Sequence, residues 1–379
     1  VREAHPPDAP RRRAWSPGRV NLLGDHTDYT GGRVLPIAID LGTLAELDVG
    51  LRPGEASGRI DAVSDAEDEP AHIAAAELTA SGIPRLRPRW ARYVAATASL
   101  LPRCLDGRLR LRSSLPEGAG LSSSAALVVA SALALGFGGA PLDLARLAQA
   151  AEQLAVGVPC GIMDPLAAAL GEEGHALLVD CHTLAVDPVP LPADVEVLAV
   201  HSGRARALAS SAYATRRAEC AAVEERIGPL RSASLDDLAG VRDPLLRRRA
   251  RHVVTENARV LAAAAALREH RLDDLGQLLA ESHRSLAEDF EVSTPELDDL
   301  VADLRARPGV LGCRLTGAGF GGCVVVLAEP GALDVEALPR AAWRLRASGP
   351  ARLLGELDED PLSFAGARRA PVRRPTPRS

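Results

Sequence analysis

Residues 115–135 read "LPEGAGLSSSAALVVASALAL", and the rest of the chain can be ordered around them. The preceding "RLRLRSSL", residues 108–115, alternates apolar and charged as a half-exposed strand does. Gly118 and Gly120 then bend the backbone, and three successive hydroxyls, Ser122, Ser123 and Ser124, follow them. An apolar helix is predicted over residues 125–135. Free N–H groups and the dipole at such a helix start favour an anion. A serine N-cap on a buried helix would explain one hydroxyl. It does not explain three behind two glycines, so the loop is read as a phosphate site.

That site must work without lysine. All 44 Lys+Arg residues are arginine. A G-x-x-x-x-G-K-[ST] loop, a protein-kinase strand lysine and a pyridoxal Schiff base are therefore excluded. The chain has 379 residues, enough for two or three domains, with an ordinary 47% hydrophobic and 25% charged content. A formal net charge of −6 gives no field to gather nucleic acid or an anionic membrane. The start "VREAHPPDAPRRRAW" has no apolar signal core, and no run reaches the roughly 20 residues of a membrane span. The six cysteines form no C-x-x-C pair and read as free thiols of a cytoplasmic protein.

Upstream lies "PGRVNLLGDHTDYTGG", residues 17–32, where Arg19, Asp25, His26 and Asp28 crowd beside a short apolar run. By residue type alone they suit a metal, a sugar or a phosphate. The following "VLPIAIDLGTLAELDV" is predicted to be extended, residues 52–88 to be surface loop with a short helix around "EPAHIAAAELTA", and "RWARYVAATASLLP" to be helical. Downstream come a helix carrying Glu152 and then "CGIMDP", with Asp164 before a small-residue helix. Alone, Glu152 is an ordinary solvated charge and Asp164 an ordinary helix cap. The strand "VEVLAVHSG", three further long helices and the hairpin "RLTGAGFGGCVVVL" complete the chain before an Arg/Pro-rich end. Four glycines in that hairpin point to a close backbone approach, most simply in support of the serine loop.

Taken in order, "GRVNLLGDHTDYTGG", "LPEGAGLSSSAAL", "AEQLAVGVPCGIMDP", "SSAYATRRAEC" and "RLTGAGFGGC" resemble the GHMP small-molecule kinases, within them the galactokinase branch. The resemblance spans roughly residues 15–327. It implies a two-lobed α+β fold with the site in the cleft between lobes. An N-terminal lobe of residues 1–187 and a ferredoxin-like C-terminal lobe of residues 188–365 would precede a disordered tail, 366–379. It implies a monomeric kinase that uses ATP and Mg2+ to phosphorylate the anomeric hydroxyl of galactose or a close relative.

Roles follow from the matched positions. Asp164 stands beside the C1 hydroxyl as base or proton-accepting partner, and Arg19 near the transferred phosphoryl. Asp25, His26, Thr27, Asp28, Gly161 and Tyr213 match sugar-binding positions. Gly118, Ala119, Gly120, Leu121, Ser122, Ser123 and Ser124 match the nucleotide loop, with Ser124 and Glu152 as the Mg2+ pair and Trp90 or Tyr93 near the adenine.

Two departures stand out. The galactokinase motif reads G-E-H-T-D, whereas this chain has "GDHTD", which shortens the reach of residue 25 by roughly one carbon–carbon bond, about 1.5 Å. Either the loop compensates, or the preferred sugar differs around C6, as for arabinose; an N-acetylhexosamine kinase and a non-catalytic sugar sensor are the other readings. Pro165 replaces the usual glutamine after Asp164, and proline suits a first helical turn.

Overall fold

The computed structural model describes residues 10–50, 58–204 and 209–363. In its first half the strands are β1 (Arg11–Asn21), β2 (Arg33–Val34), β3 (Pro36–Val49), β4 (Arg59–Ser64), β5 (Glu67–Ala74) and β6 (Gly107–Ser113). The pair β7 (His175–Asp180) and β8 (Ala185–Pro190) follows, then β9 (Glu196–His201), β10 (Val310–Leu315), β11 (Cys323–Ala328), β12 (Ala342–Leu345) and β13 (Arg352–Leu354). Four helices belong to the first half: α1 (Ala91–Leu100), α2 (Ser123–Ala134), α3 (Pro141–Val156) and α4 (Met163–Leu170). The second half carries α5 (Ala209–Ile227), α6 (Pro244–Arg268), α7 (Leu272–Glu288) and α8 (Pro295–Arg305).

Six strands form the first sheet in the order β13-β1-β3-β6-β4-β5. Along β6 the residues Gly107, Leu109 and Leu111 are buried while Arg108 and Arg110 are less so, the period-2 signature of a one-sided strand. The helices α1 to α4 cover that face. Their contact residues are mostly alanine (Ala95, Ala126, Ala130, Ala148, Ala168), so backbones approach closely. A register shift between Pro17 and Arg19 breaks the β1–β3 ladder. Bulges of this kind re-aim side chains near functional sites. Here the shift falls on the residue expected to face the phosphoryl group.

The second sheet is antiparallel in the order β10-β11-β9-β12. Numbered within the lobe this is 2-3-1-4, the ferredoxin-like order read from the other edge. The connection from β11 to β12 carries no α-helix, however. Strand β11 reads as an unbroken apolar run because both faces are covered. Val325 and Leu327 enter one core, and Val324 and Val326 enter another under α5, α6 and α8. A third sheet, β2-β7-β8, bridges the halves.

Three expectations change. Residues 67–74 form an edge strand rather than loop and helix, because Ala71 and Ile73 point into the core while β4 pairs with β5 and, in parallel, with β6. The boundary at residue 187 falls inside β8, which is paired along its length with β7; the chain passes to the second sheet only at β9. The C-terminal stretch does not stay with the second lobe, since β13 returns to pair with β1. The tail expected over 366–379 lies outside the described residues. All six cysteines are free thiols and four are buried. Among the described residues no helix is long and apolar enough to cross a membrane.

Candidate active site

The serine loop closes on the strand that bears Arg19. The Arg19 N–H donates to Leu121 O at 3.1 Å, and its guanidinium Nη1 donates to Gly120 O at 2.6 Å. Both Gly118 (φ +67°) and Gly120 (φ +78°) take the left-handed backbone that an L side chain resists. Ser122 occupies the N-cap position of α2 without capping it. Its hydroxyl donates to Asp164 instead. The bland reading of that serine is thereby excluded.

Asp164 in the first turn of α4 takes Arg19 in a bidentate grip: Nε to Oδ1 and Nη2 to Oδ2, each at 2.7 Å. Planar fork-to-carboxylate geometry of this kind is strong and directional. Arg19 is 5% exposed, whereas the Asp164 side chain keeps 26% of its surface open. The pair is therefore buried on the arginine side and accessible on the carboxylate side.

Glu152, on α3, accepts a hydrogen bond from the Ser124 hydroxyl. Burial, and then the charge of Asp164, push its carboxyl up to about 7. Asp28, just after the turn of residues 24–27, is raised to about 6 by the same two causes in the same order. Asp164 thus repels both Asp28 and Glu152, Arg19 acts on both in the opposite sense, and Arg217 is the other cation acting on Asp28. Such a cluster is short of positive charge. One buried carboxylate beside one hydroxyl is a hard-oxygen donor set that fits Mg2+, which usually completes its shell with phosphate oxygens and water. No group of three or more His, Cys, Asp or Glu among the described residues could hold a metal by itself.

Gly161 is where Asp28 lies. A Cβ placed on Gly161 would stand 1.4 Å from Asp28 Oδ2 and 2.3 Å from its Cγ. Only glycine leaves room for the carboxylate there. Tyr213, on α5, meets His26 and Tyr29 with ring centroids 5.6 and 5.4 Å away. Burial and the Asp28 charge hold its phenol well above the ordinary value, so it remains a donor. A cavity of about 360 Å3 opens beside this group, lined by Asp28, Tyr29, Cys160, Gly161, Arg217 and others.

Three of the residues assigned to the sugar have their polar atoms committed within the protein. Thr27 is 0% exposed, and its hydroxyl lies 2.6 and 2.8 Å from the carbonyls of Arg33 and Gly24. It holds the turn. His26 has partners at both ring nitrogens, Tyr29 OH at 3.1 Å and Ala318 O at 3.2 Å, and packs on Phe290. Asp25, 2% exposed, gives one oxygen to Arg314 and the other to the Gly317 N–H at 3.1 Å. The glycine-rich hairpin between β10 and β11 therefore backs the sugar motif, where support of the serine loop was expected. Trp90 is buried, with its indole N–H 3.3 Å from Glu69 O, while Tyr93 lies near Glu152.

Two residues escaped the sequence reading. Arg217 lies four positions after Tyr213, hence on the same face of α5, and its guanidinium sits 5.6 Å from the centre of the Tyr29 ring. That spacing was available as a signal. For Arg314 the one signal available was a charge inside an apolar strand.

Residues 5–48 match the galactokinase galactose-binding signature, 91–172 the GHMP kinases N terminal domain and 263–343 the GHMP kinases C terminal domain. A galactokinase of Homo sapiens is 43% identical over 330 residues, 84% of this chain and 83% of the relative. A galactokinase of Roseiflexus sp. is 43% identical over 341 residues, 84% of each. Among solved structures, Lactococcus lactis galactokinase complexed with galactose superimposes with a TM-score of 0.82 at 29% identity, covering 91% of this chain and 95% of that one. The Methanococcus jannaschii mevalonate kinase, at 18% identity and a TM-score of 0.63, shares the fold. With the galactose-binding signature at one end, both kinase domains behind it and relatives alike over more than four-fifths of its length, the chain belongs to the galactokinase family of GHMP kinases.

Proposed function

We propose that this chain transfers the γ-phosphoryl group of ATP to the anomeric C1 hydroxyl of galactose, giving the sugar 1-phosphate and ADP. The observation that carries the reading is the Arg19–Asp164 fork set between the serine loop and the seat of Asp28 on Gly161. Phosphoryl transfer asks a protein mainly for positioning and for charge stabilisation. Asp164 accepts or orients the proton of the C1 hydroxyl with its exposed edge. Arg19 fixes the direction of that carboxylate and places positive charge where the phosphoryl group passes. Gly118, Ala119, Gly120, Leu121, Ser122, Ser123 and Ser124 offer backbone N–H groups and hydroxyls to the phosphates. Ser124 and Glu152 would hold Mg2+, which when bound neutralises phosphate charge.

Asp28, the Gly161 backbone and the Tyr213 hydroxyl receive the sugar hydroxyls. Asp25 has Arg314 for a partner, so its shortness supplies no reason to prefer arabinose or an N-acetylhexosamine. The free thiols suit a cytoplasmic protein, and no step needs a second copy of the chain.

ADP release across a panel of free sugars tests the reading. Galactose with ATP should yield ADP, and EDTA should abolish it. Galactose binding without ADP, at any metal concentration, would make the chain a sensor.

A second expectation concerns pH. Burial and the charge of Asp164 raise the Asp28 carboxyl to about 6, and once protonated it is a weaker acceptor for sugar hydroxyls. As pH falls from about 7 through about 6, kcat/KM for galactose should drop in two steps, Glu152 taking up a proton first and Asp28 after it, and Asp28→Asn should remove the lower step. A lower step that survives Asp28→Asn would show that Asp28 does not touch the sugar.

A further inference from the structure

Asp25 stands where the G-E-H-T-D motif has a longer acid, and its surroundings say what it does. Arg314 is 0% exposed and reaches the sugar motif twice, donating to the Asp25 carboxylate and, through Nη1, to Leu22 O at 2.7 Å. The other Asp25 oxygen accepts from Gly317 N–H. The Asp25 carbonyl lies 3.0 Å from His252 Nε2 of α6. One residue before, Gly24 N–H donates to Glu256 Oε1 at 2.9 Å, and Glu256 stands 4.0 Å from Arg314. One residue after, His26 lies against Ala318 O. The turn that ends in Asp28 is thus fastened to the second lobe at three consecutive positions. Asp25 supplies the charged link.

We propose that Asp25 is a positioning residue for the galactokinase reaction and not a ligand of the sugar: with Arg314 it clasps the turn of residues 24–28 to the glycine hairpin, and so sets where His26 and Asp28 stand. This rests on the functional reading above. A buried guanidinium–carboxylate pair seldom adds net stability over apolar groups of like size, but it specifies one geometry, and removing one partner leaves a buried charge unpaired. The shorter side chain suits the role, because Arg314 and Gly317 close on the carboxylate directly. Asp25→Glu would overfill that space and lower kcat/KM for galactose.

The test compares wild type, Asp25→Asn, Arg314→Met and the double variant on galactose, 2-deoxygalactose and 6-deoxygalactose. Asp25→Asn should raise KM about ten-fold on all three sugars, within the roughly 100-fold that a 1 Å misplacement can cost. KM for ATP should stay unchanged, because the displacement is confined to the sugar turn. The double variant, which buries no lone charge, should fold as well as wild type and show no more than the larger single effect, since coupled residues are non-additive. If the Asp25→Asn effect vanishes on one deoxy sugar, Asp25 is a ligand of the missing hydroxyl and the proposal falls. It also falls if the variants lose only melting temperature, with KM unchanged in the folded fraction. Amide exchange over residues 24–30 needs no turnover, so it decides the point even if wild type releases no ADP and the functional reading fails. Faster exchange there in Asp25→Asn supports the clasp, and unchanged exchange overturns it.

Discussion

Asp164→Asn lowers kcat by about 10²–10⁴-fold, the usual worth of a positioned acid–base group, and lowers the melting temperature as well, because Arg19, 5% exposed, is left without its charged partner. Asparagine matches aspartate in size and fits the first turn of α4, where residue 164 stands. It still accepts one hydrogen bond from Arg19 or Ser122, but it loses the second acceptor and the charge. Proton acceptance from the C1 hydroxyl depends on both. The measurement is single-turnover phosphorylation of galactose at saturating ATP, with circular dichroism and melting temperature recorded alongside. Unchanged turnover in the folded fraction, accompanied by a lower melting temperature, would reduce Asp164 to a structural partner of Arg19.

Gly161→Ala should cost about 100-fold in kcat/KM for galactose, on the scale of a 1 Å displacement of a binding group. The cause is steric. The new Cβ would lie 1.4 Å from Asp28 Oδ2, so either the carboxylate leaves its seat or the start of α4 shifts and carries Asp164 with it. KM for ATP distinguishes the two. If only Asp28 moves, the serine loop is untouched and KM for ATP holds. If α4 moves, the bidentate Arg19–Asp164 grip opens and kcat falls as well. A variant with wild-type kinetics would mean that Asp28 and Gly161 do not form the sugar seat.

Much of the arrangement was legible without coordinates. The serine loop, the helix behind it, the alternating β6 and the continuous β11 are local patterns, governed by side-chain periodicity and the backbone freedom of glycine. The pairing of Glu152 with Ser124 and the approach of Arg19 to the loop followed from family likeness, and the geometry brings those residues together. The acidic stretch before α1 was misread. Its residues 67–74 have weak strand character of their own and are held extended by pairing with β4, a context no local window contains.

Which carboxylate of "GDHTD" faces the cavity was decided by tertiary structure alone. Asp25 and Asp28 differ little in sequence, since each is an acid within a polar turn. What separates them is a partner 289 residues away: Arg314 takes up Asp25 in an ion pair, while Asp28 lies against Gly161 and lines the cavity. The sequence by itself determined the residue types, the loop chemistry and the family, because these depend on near neighbours and on order along the chain. It could not determine the direction of each polar side chain. A buried charge turns towards whatever opposite charge or N–H the fold brings within about 3 Å, and that meeting exists only once both lobes have closed around the turn.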